Sequence, residues 1–179
     1  MNPRVILTLA LCLLALGGCA KSAKYASIEY EIYSLMNSSN RELLAKGTIM
    51  CDPNNVSSVE RSAFGQTFWQ KSIQLSKGFV VGASVYRETE LNGFGLWISG
   101  TEGGFSWNWF TRESGFRYKK LQGEGRVEAT MAPNKEYEEL VAVEFLTDVT
   151  LTGRFGGFPF LGDTHQVVIK KGSVLRLAP

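Results

Sequence analysis

The chain has 179 residues, with 19 Lys and Arg against 17 Asp and Glu, one His and three Cys. Such a balance, without a basic stripe, leaves nothing to neutralise a phosphate backbone and excludes nucleic acid as a partner. The length suffices for one domain with its own apolar core.

Residues 1–18 carry one positive charge, Arg4, and an apolar run from Val5 to Leu16 that ends in Gly17 and Gly18. A charged start, a short apolar stretch and small closing residues mark an export signal. The run falls short of the roughly 20 residues that span a bilayer. Leu16-Gly17-Gly18-Cys19 resembles the lipobox of bacterial lipoproteins. The resemblance implies cleavage before Cys19, a thioether lipid on its sulfur and acylation of the new amino terminus. Ala20, which is not Asp, implies passage to the outer membrane of a Gram-negative envelope, facing the periplasm. Residues 19–25 then form a lipidated tether, with Lys21 and Lys24 on it, reaching at most ~3.5 Å per residue. Residues 26–179 form a single β-rich domain. With Cys12 removed and Cys19 lipidated, Cys51 lacks an intramolecular disulfide partner and is expected as a small buried apolar residue.

Strand patterns then follow almost without interruption. Ile28, Tyr30 and Ile32 alternate with Glu29 and Glu31, the period of a half-buried strand. A second strand is predicted over Glu42 to Cys51, ended by Asp52-Pro53-Asn54-Asn55. Ser57 and Glu60 stand at capping-box spacing and predict a short helix, joined at most by a second at Lys135 to Leu140. From Phe68 onward the turns Lys77-Gly78, Asn92-Gly93, Gly103-Gly104 and Ser114-Gly115 describe an antiparallel meander.

Registers follow from those turns. A three-residue loop at Ser76-Lys77-Gly78 pairs Leu75 with Phe79, Ile73 with Val81 and Trp69 with Val85, with Gly78 left-handed. A two-residue Asn92-Gly93 turn pairs Leu91 with Phe94 and Thr89 with Leu96. A two-residue Gly103-Gly104 turn sets Ile98 opposite Trp109, leaving Trp97 and Phe110 together on the reverse side. Further on, Gln122 to Ala129 alternates, Val141, Val143, Phe145, Val149 and Leu151 share a face of one long strand, and Lys171-Gly172 closes a last hairpin. The whole predicts an all-β domain of about 8–10 strands, an antiparallel β-sandwich or a small up-and-down barrel.

The candidate ligand- or partner-binding residues are aromatic: Trp97, Trp107, Trp109 and Phe110 in the meander, and Phe155, Phe158 and Phe160 in the glycine-rich segment Arg154 to Asp163. Large aromatics on both faces of a meander suggest either a packed core or an apolar groove, since one face of a single-layer sheet is usually wet. The 154–163 segment reads equally as a partner-binding loop or as a plug folded back on one end. Gly95-Leu96-Trp97 matches the triplet that opens lipocalin barrels, but it lies in a middle strand, so that family is not carried over. Catalytic patterns are weak. His165 with Cys51 and Asp163 sketches a thiol dyad from remote positions, there is no nucleophile elbow, and no ligand spacing for zinc exists. The expectation is a non-enzymatic lipoprotein without cofactor or metal, binding a protein partner in an envelope assembly. The second reading is a carrier or sensor of a hydrophobic ligand held inside a barrel.

Overall fold

The computed structural model describes residues 26–37, 40–52, 56–63, 66–86, 93–100, 103–133, 138–155 and 162–177. These residues form thirteen strands, and no helix occurs among them. The all-β antiparallel class is as expected, with more strands than the eight to ten anticipated. In chain order they are β1 (Ser27–Asn37), β2 (Asn40–Met50), β3 (Ser57–Ala63), β4 (Gln66–Gln74), β5 (Phe79–Tyr86), β6 (Gly93–Gly100), β7 (Phe105–Ser114), β8 (Arg117–Lys120), β9 (Arg126–Pro133), β10 (Glu138–Phe145), β11 (Val149–Phe155), β12 (Asp163–Ile169) and β13 (Val174–Arg176).

Two sheets result. A nine-stranded sheet has the order β13-β10-β9-β8-β7-β6-β5-β4-β3, so the meander runs unbroken from β3 to β10. A four-stranded sheet has the order β11-β12-β1-β2. Alternation dictates which face each strand buries. Ile28, Tyr30 and Ile32 of β1 are buried together with Val167 and Ile169 of β12, and with Val149 and Leu151 of β11. From the large sheet, Val81, Phe94, Leu96, Ile98, Phe110, Val127, Val143 and Phe145 face them in one continuous core.

The small sheet packs against one end of the large sheet's strands. The Tyr30 hydroxyl accepts a hydrogen bond from the Ser76 amide in the β4–β5 turn, 3.2 Å. The Lys120 ammonium, at the β8–β9 end, donates to the Thr150 carbonyl at 2.6 Å. The Ser106 hydroxyl donates to the Thr152 carbonyl. Thr150 and Thr152 lie on β11, an edge strand, so side chains of the large sheet satisfy carbonyls that no neighbouring strand can reach.

Several sequence expectations fail for identifiable reasons. Ser57 to Ala63 is a strand, paired residue for residue with β4 from Ser57–Ser72 to Ala63–Gln66. The capping-box spacing is local, and a seven-residue ladder outweighs it. Residues 138–140 likewise belong to β10 rather than to a helix, and 135–137 lie outside the described residues. Residues 121–125 form a turn with Gly123 at φ 77°, so only Arg126 onward is a strand. The long strand from Val141 to Leu151 is two strands in different sheets. It breaks at Leu146 to Asp148, where the Thr147 hydroxyl accepts from the Arg126 amide at 2.9 Å. Lys171-Gly172 is a turn, but β12 and β13 are not a hairpin: β12 lies between β11 and β1, and β13 pairs with β10. At Ser76 to Gly78 the structure matches expectation, with Ile73 opposite Val81, Trp69 opposite Val85, and both Lys77 and Gly78 left-handed.

Two meander registers differ. In β5–β6, Leu96 pairs with Ala83 rather than with Thr89, a slip of six residues. The even slip leaves every side chain on its expected face, and it gives Leu96 the apolar Ala83 in place of the polar Thr89 as partner. In β6–β7, Ile98 pairs with Ser106, and Trp97 pairs with Trp107. This slip is three, an odd number, and it reverses the faces.

Candidate functional site

The odd slip relocates the tryptophans. Phe94, Leu96 and Ile98 point into the core with Phe110, whereas Trp97 shares the outer face with Phe105, Trp107 and Trp109. The expected pairing of Trp97 with Phe110 is therefore wrong. Phe110 is fully buried, stacked on Phe94 at 5.6 Å between ring centroids, with the Tyr118 ring edge-on to Phe94 at 5.0 Å. It is a core residue and leaves the candidate site.

The outer aromatics form a continuous row. Phe105 lies 5.6 Å from Trp97 and 5.7 Å from Trp107, and Trp107 and Trp109 are nearly parallel, 6.4 Å apart at 12°. Glycines make the row possible. A Cβ on Gly82 would stand 2.5 Å from Trp97 Cε2, and one on Gly95 would stand 2.5 Å from Trp107 Nε1. Each indole therefore occupies the space over a glycine on the neighbouring strand, the cross-strand packing that compensates a glycine in a sheet. The Trp97 indole N–H donates to the Ser84 hydroxyl at 3.0 Å, a buried hydrogen bond that fixes the ring's orientation. Phe105, at 51 % exposure, is the solvent-facing member. Leu121, also exposed, adjoins the row through its amide, which donates to the Trp109 carbonyl at 3.1 Å.

Phe155 is not part of this row. It is buried at the end of β11, edge-on to Phe79 at 5.3 Å, and the His165 ring tilts against both. The segment thus begins as core packing at Phe155, while Phe158 and Phe160 lie outside the described residues, as does Cys19. The glycines at 103 and 104 do not form the expected two-residue hairpin. Gly104 (φ 91°) admits the β11 backbone so closely that a Cβ there would stand 2.7 Å from Phe155 Cα. This close approach requires the glycine and lengthens the β6–β7 connection.

The sketched thiol dyad does not assemble. The Cys51 amide donates to the Ala26 carbonyl and its thiol to the Val174 carbonyl at 3.4 Å. His165 stands opposite Ser34, eight positions further along β1, or about 26 Å at ~3.3 Å per residue. Burial pushes the Cys51 thiol pKa up, the opposite of an activated thiolate. Among the described residues no group of three or more His, Cys, Asp or Glu is placed to hold a metal ion.

Charge is concentrated on the outer face of the small sheet. Lys170 lies 2.7 Å from Glu31 and 3.4 Å from Asp148, the Tyr33 hydroxyl donates to Glu31 at 2.7 Å, and the Arg41 guanidinium lies 4.3 Å above the Tyr33 ring. The Lys170 hydrogen bond, then that of Tyr33, lowers the Glu31 pKa; the Glu31 contact raises that of Lys170. Inside, burial lowers the pKa of Lys120. A groove of about 430 Å³ lies beside Phe116, Glu128, Glu144 and Arg176, and another of about 330 Å³ runs along Glu29, Glu31, Lys46 and Thr48. Neither is legible in the sequence, because each is built from side chains that only the pairing of neighbouring strands brings together.

No family model matches the chain, and comparison with curated proteins and with solved structures found no similar protein.

Proposed function

We propose that this chain is a lipid-anchored protein of the bacterial outer membrane whose periplasmic β domain is non-enzymatic and holds a protein partner on the outer face of its nine-stranded sheet. The observation that carries this reading is the row Trp97, Phe105, Trp107 and Trp109 on the outside of a sheet whose inside is filled. Phe105 is half exposed and Trp107 and Trp109 are partly so, beside a buried Trp97, and aromatic side chains are enriched where proteins meet. The carrier reading needs an empty apolar interior, whereas the described inner faces pack directly against one another through Phe94, Phe110, Phe145, Ile28 and Leu151.

Orientation follows from the same reading. Ala26 begins the described chain beside Cys51, on the small sheet, so a seven-residue tether to Cys19 holds that sheet toward the bilayer. The Phe116 turn lines a groove together with Val174, whose carbonyl accepts from the Cys51 thiol, so it lies on the tether's side of the domain.

Two measurements test the proposal in the full-length protein. Cys19→Ser is expected to abolish incorporation of radiolabelled palmitate and to release the protein from the membrane fraction; retention of both would overturn the anchor. A photo-crosslinking amino acid in place of Phe105 is expected to yield a discrete adduct to another envelope protein on irradiation of intact cells. Adducts no different from those of the same probe at Lys171, on an exposed turn away from the row, would overturn the binding face.

A further inference from the structure

The β7–β8 turn stands clear of the rest of the described domain. Ser114 pairs with Arg117, which leaves Gly115 and Phe116 at the tip. Gly115 is left-handed at φ 54°, and a Cβ built on it would meet nothing within 4 Å. Phe116 beside it is 53 % exposed. A single exposed ring is ordinary on a protein surface, but this one lies where the tether joins the domain. Ala26, the first described residue, accepts from the Cys51 amide at 2.7 Å, and the Cys51 thiol donates to the Val174 carbonyl at 3.4 Å. Val174 and Phe116 line one groove. Val174 stands opposite Glu144, Glu144 opposite Glu128, and Glu128 opposite Arg117. Three strand spacings of ~4.8 Å therefore separate β13 from the turn, about 15 Å. Residues 19–25 extend at most ~25 Å, a length that lets the turn rest on the bilayer holding Cys19. Charge around the tip is mixed: Arg117 faces Glu128, and Arg176 lies in the groove with Glu144. It selects neither an anionic nor a cationic surface, so the apolar ring has to carry any contact.

We propose that Phe116 inserts into the headgroup–acyl boundary of the bilayer that holds the anchor, making the β7–β8 turn a second point of membrane contact. The place where the chain leaves the domain selects the occupant: the surface nearest this turn is the lipid to which Cys19 is bound. Burying the ring at the interface removes apolar area from water. The tether makes that insertion intramolecular. One ring, too weak to bring a free protein to a membrane, is then enough to orient a protein already held there. A lipid at one point leaves the domain free to swing, and a second contact fixes which way it faces. With Phe116 on the bilayer, β7 runs away from it and carries Phe105 about 30 Å along the strand, where an envelope protein can reach the aromatic row. The inference rests on the lipid-anchor reading and adds the orientation of the anchored domain.

The test uses the mature lipidated chain, purified from the membrane and floated with phosphatidylcholine vesicles. A nitroxide is placed on Ser114→Cys, beside the tip, and in a separate chain on Phe105→Cys as the distal reference; buried Cys51 stays unlabelled. Collision with oxygen, which concentrates in the bilayer, and with a water-soluble nickel chelate reports the depth of each label. Nickel collision at the Ser114 label is expected to be at least threefold below that at the Phe105 label, with oxygen collision higher. Adding Phe116→Asp should return the Ser114 label to the values of water, and Phe116→Leu should not. Equal nickel collision at the two sites, or a Ser114 label indifferent to Phe116→Asp, would overturn the proposal. Because the ring is exposed, Phe116→Asp should keep the parent urea midpoint, which separates lost docking from lost folding. A chain that does not float with the vesicles overturns the anchor and this inference with it, whereas a water-exposed Ser114 label on floated chain overturns the docking alone.

Discussion

Replacing Gly82 by Ala tests whether the outer tryptophans are seated on glycines. The new methyl carbon would stand 2.5 Å from Trp97 Cε2, closer still to Cζ2, and 2.7 Å from the Lys71 carbonyl oxygen. Ordinary contacts fall at 3.5–4.0 Å, so the indole must move by about 1 Å or more, and the carbonyl belongs to the β4 backbone and cannot swing aside. Moving the indole also strains its buried hydrogen bond to Ser84. Overpacking of this kind costs about 1–3 kcal/mol. At roughly 2–4 °C per kcal/mol for a domain of this size, Tm should fall by about 2–12 °C. Urea unfolding gives the free energy, and the Trp97 indole N–H resonance reports the Ser84 hydrogen bond directly. Gly95→Ala should behave alike through Trp107, where the obstruction is again an indole ring. If both variants unfold at the parent midpoint with the Trp97 resonance unmoved, the β5–β6–β7 register described above is wrong.

Phe155→Ala should cost about 3–5 kcal/mol in urea unfolding, as removal of a buried ring does, because Phe155 packs on Phe79 within the core; a cost below ~1 kcal/mol would return it to an exposed loop. The Glu31–Lys170 contact has a definite pH signature. Glu31 has a lowered folded-state pKa, so its contribution is present above its unfolded value near 4.3 and is lost as pH falls through the folded value. Lys170 has a raised one, so its contribution is present below ~10.4 and is lost as pH rises through the folded value. Lys170→Gln should therefore destabilise at pH 7 and approach the parent stability below about pH 4; an equal cost at pH 3 and pH 7 would refute the pairing. Cys51, buried and with its pKa raised, should resist a thiol-reactive disulfide reagent at pH 8 until the chain is unfolded in urea, and labelling of the native protein at the rate of a free thiol would contradict its placement.

The class of the domain and much of its local order are legible in the chain's own alternation. Ile28, Tyr30 and Ile32 had to share a buried face, because two-residue alternation is a property of the extended chain alone. The loop at Ser76 to Gly78 was legible because only one register there matches apolar with apolar. The aromatic stretch Phe105, Trp107 and Trp109 was legible as one face of one strand. Tertiary structure alone decided which face that was. The β6–β7 connection is lengthened where β11 crosses at Gly104, a contact between residues some fifty positions apart that no local turn rule contains. The resulting three-residue slip sends Phe110 inward and Trp97 outward, since an odd slip in a period-two structure exchanges its faces. It likewise took the assembled sheets to place β12 and β13 in different layers and to bring Glu128 opposite Glu144 beside Phe116. Alternation is encoded within a strand, whereas the choice of its partner and register belongs to the whole chain.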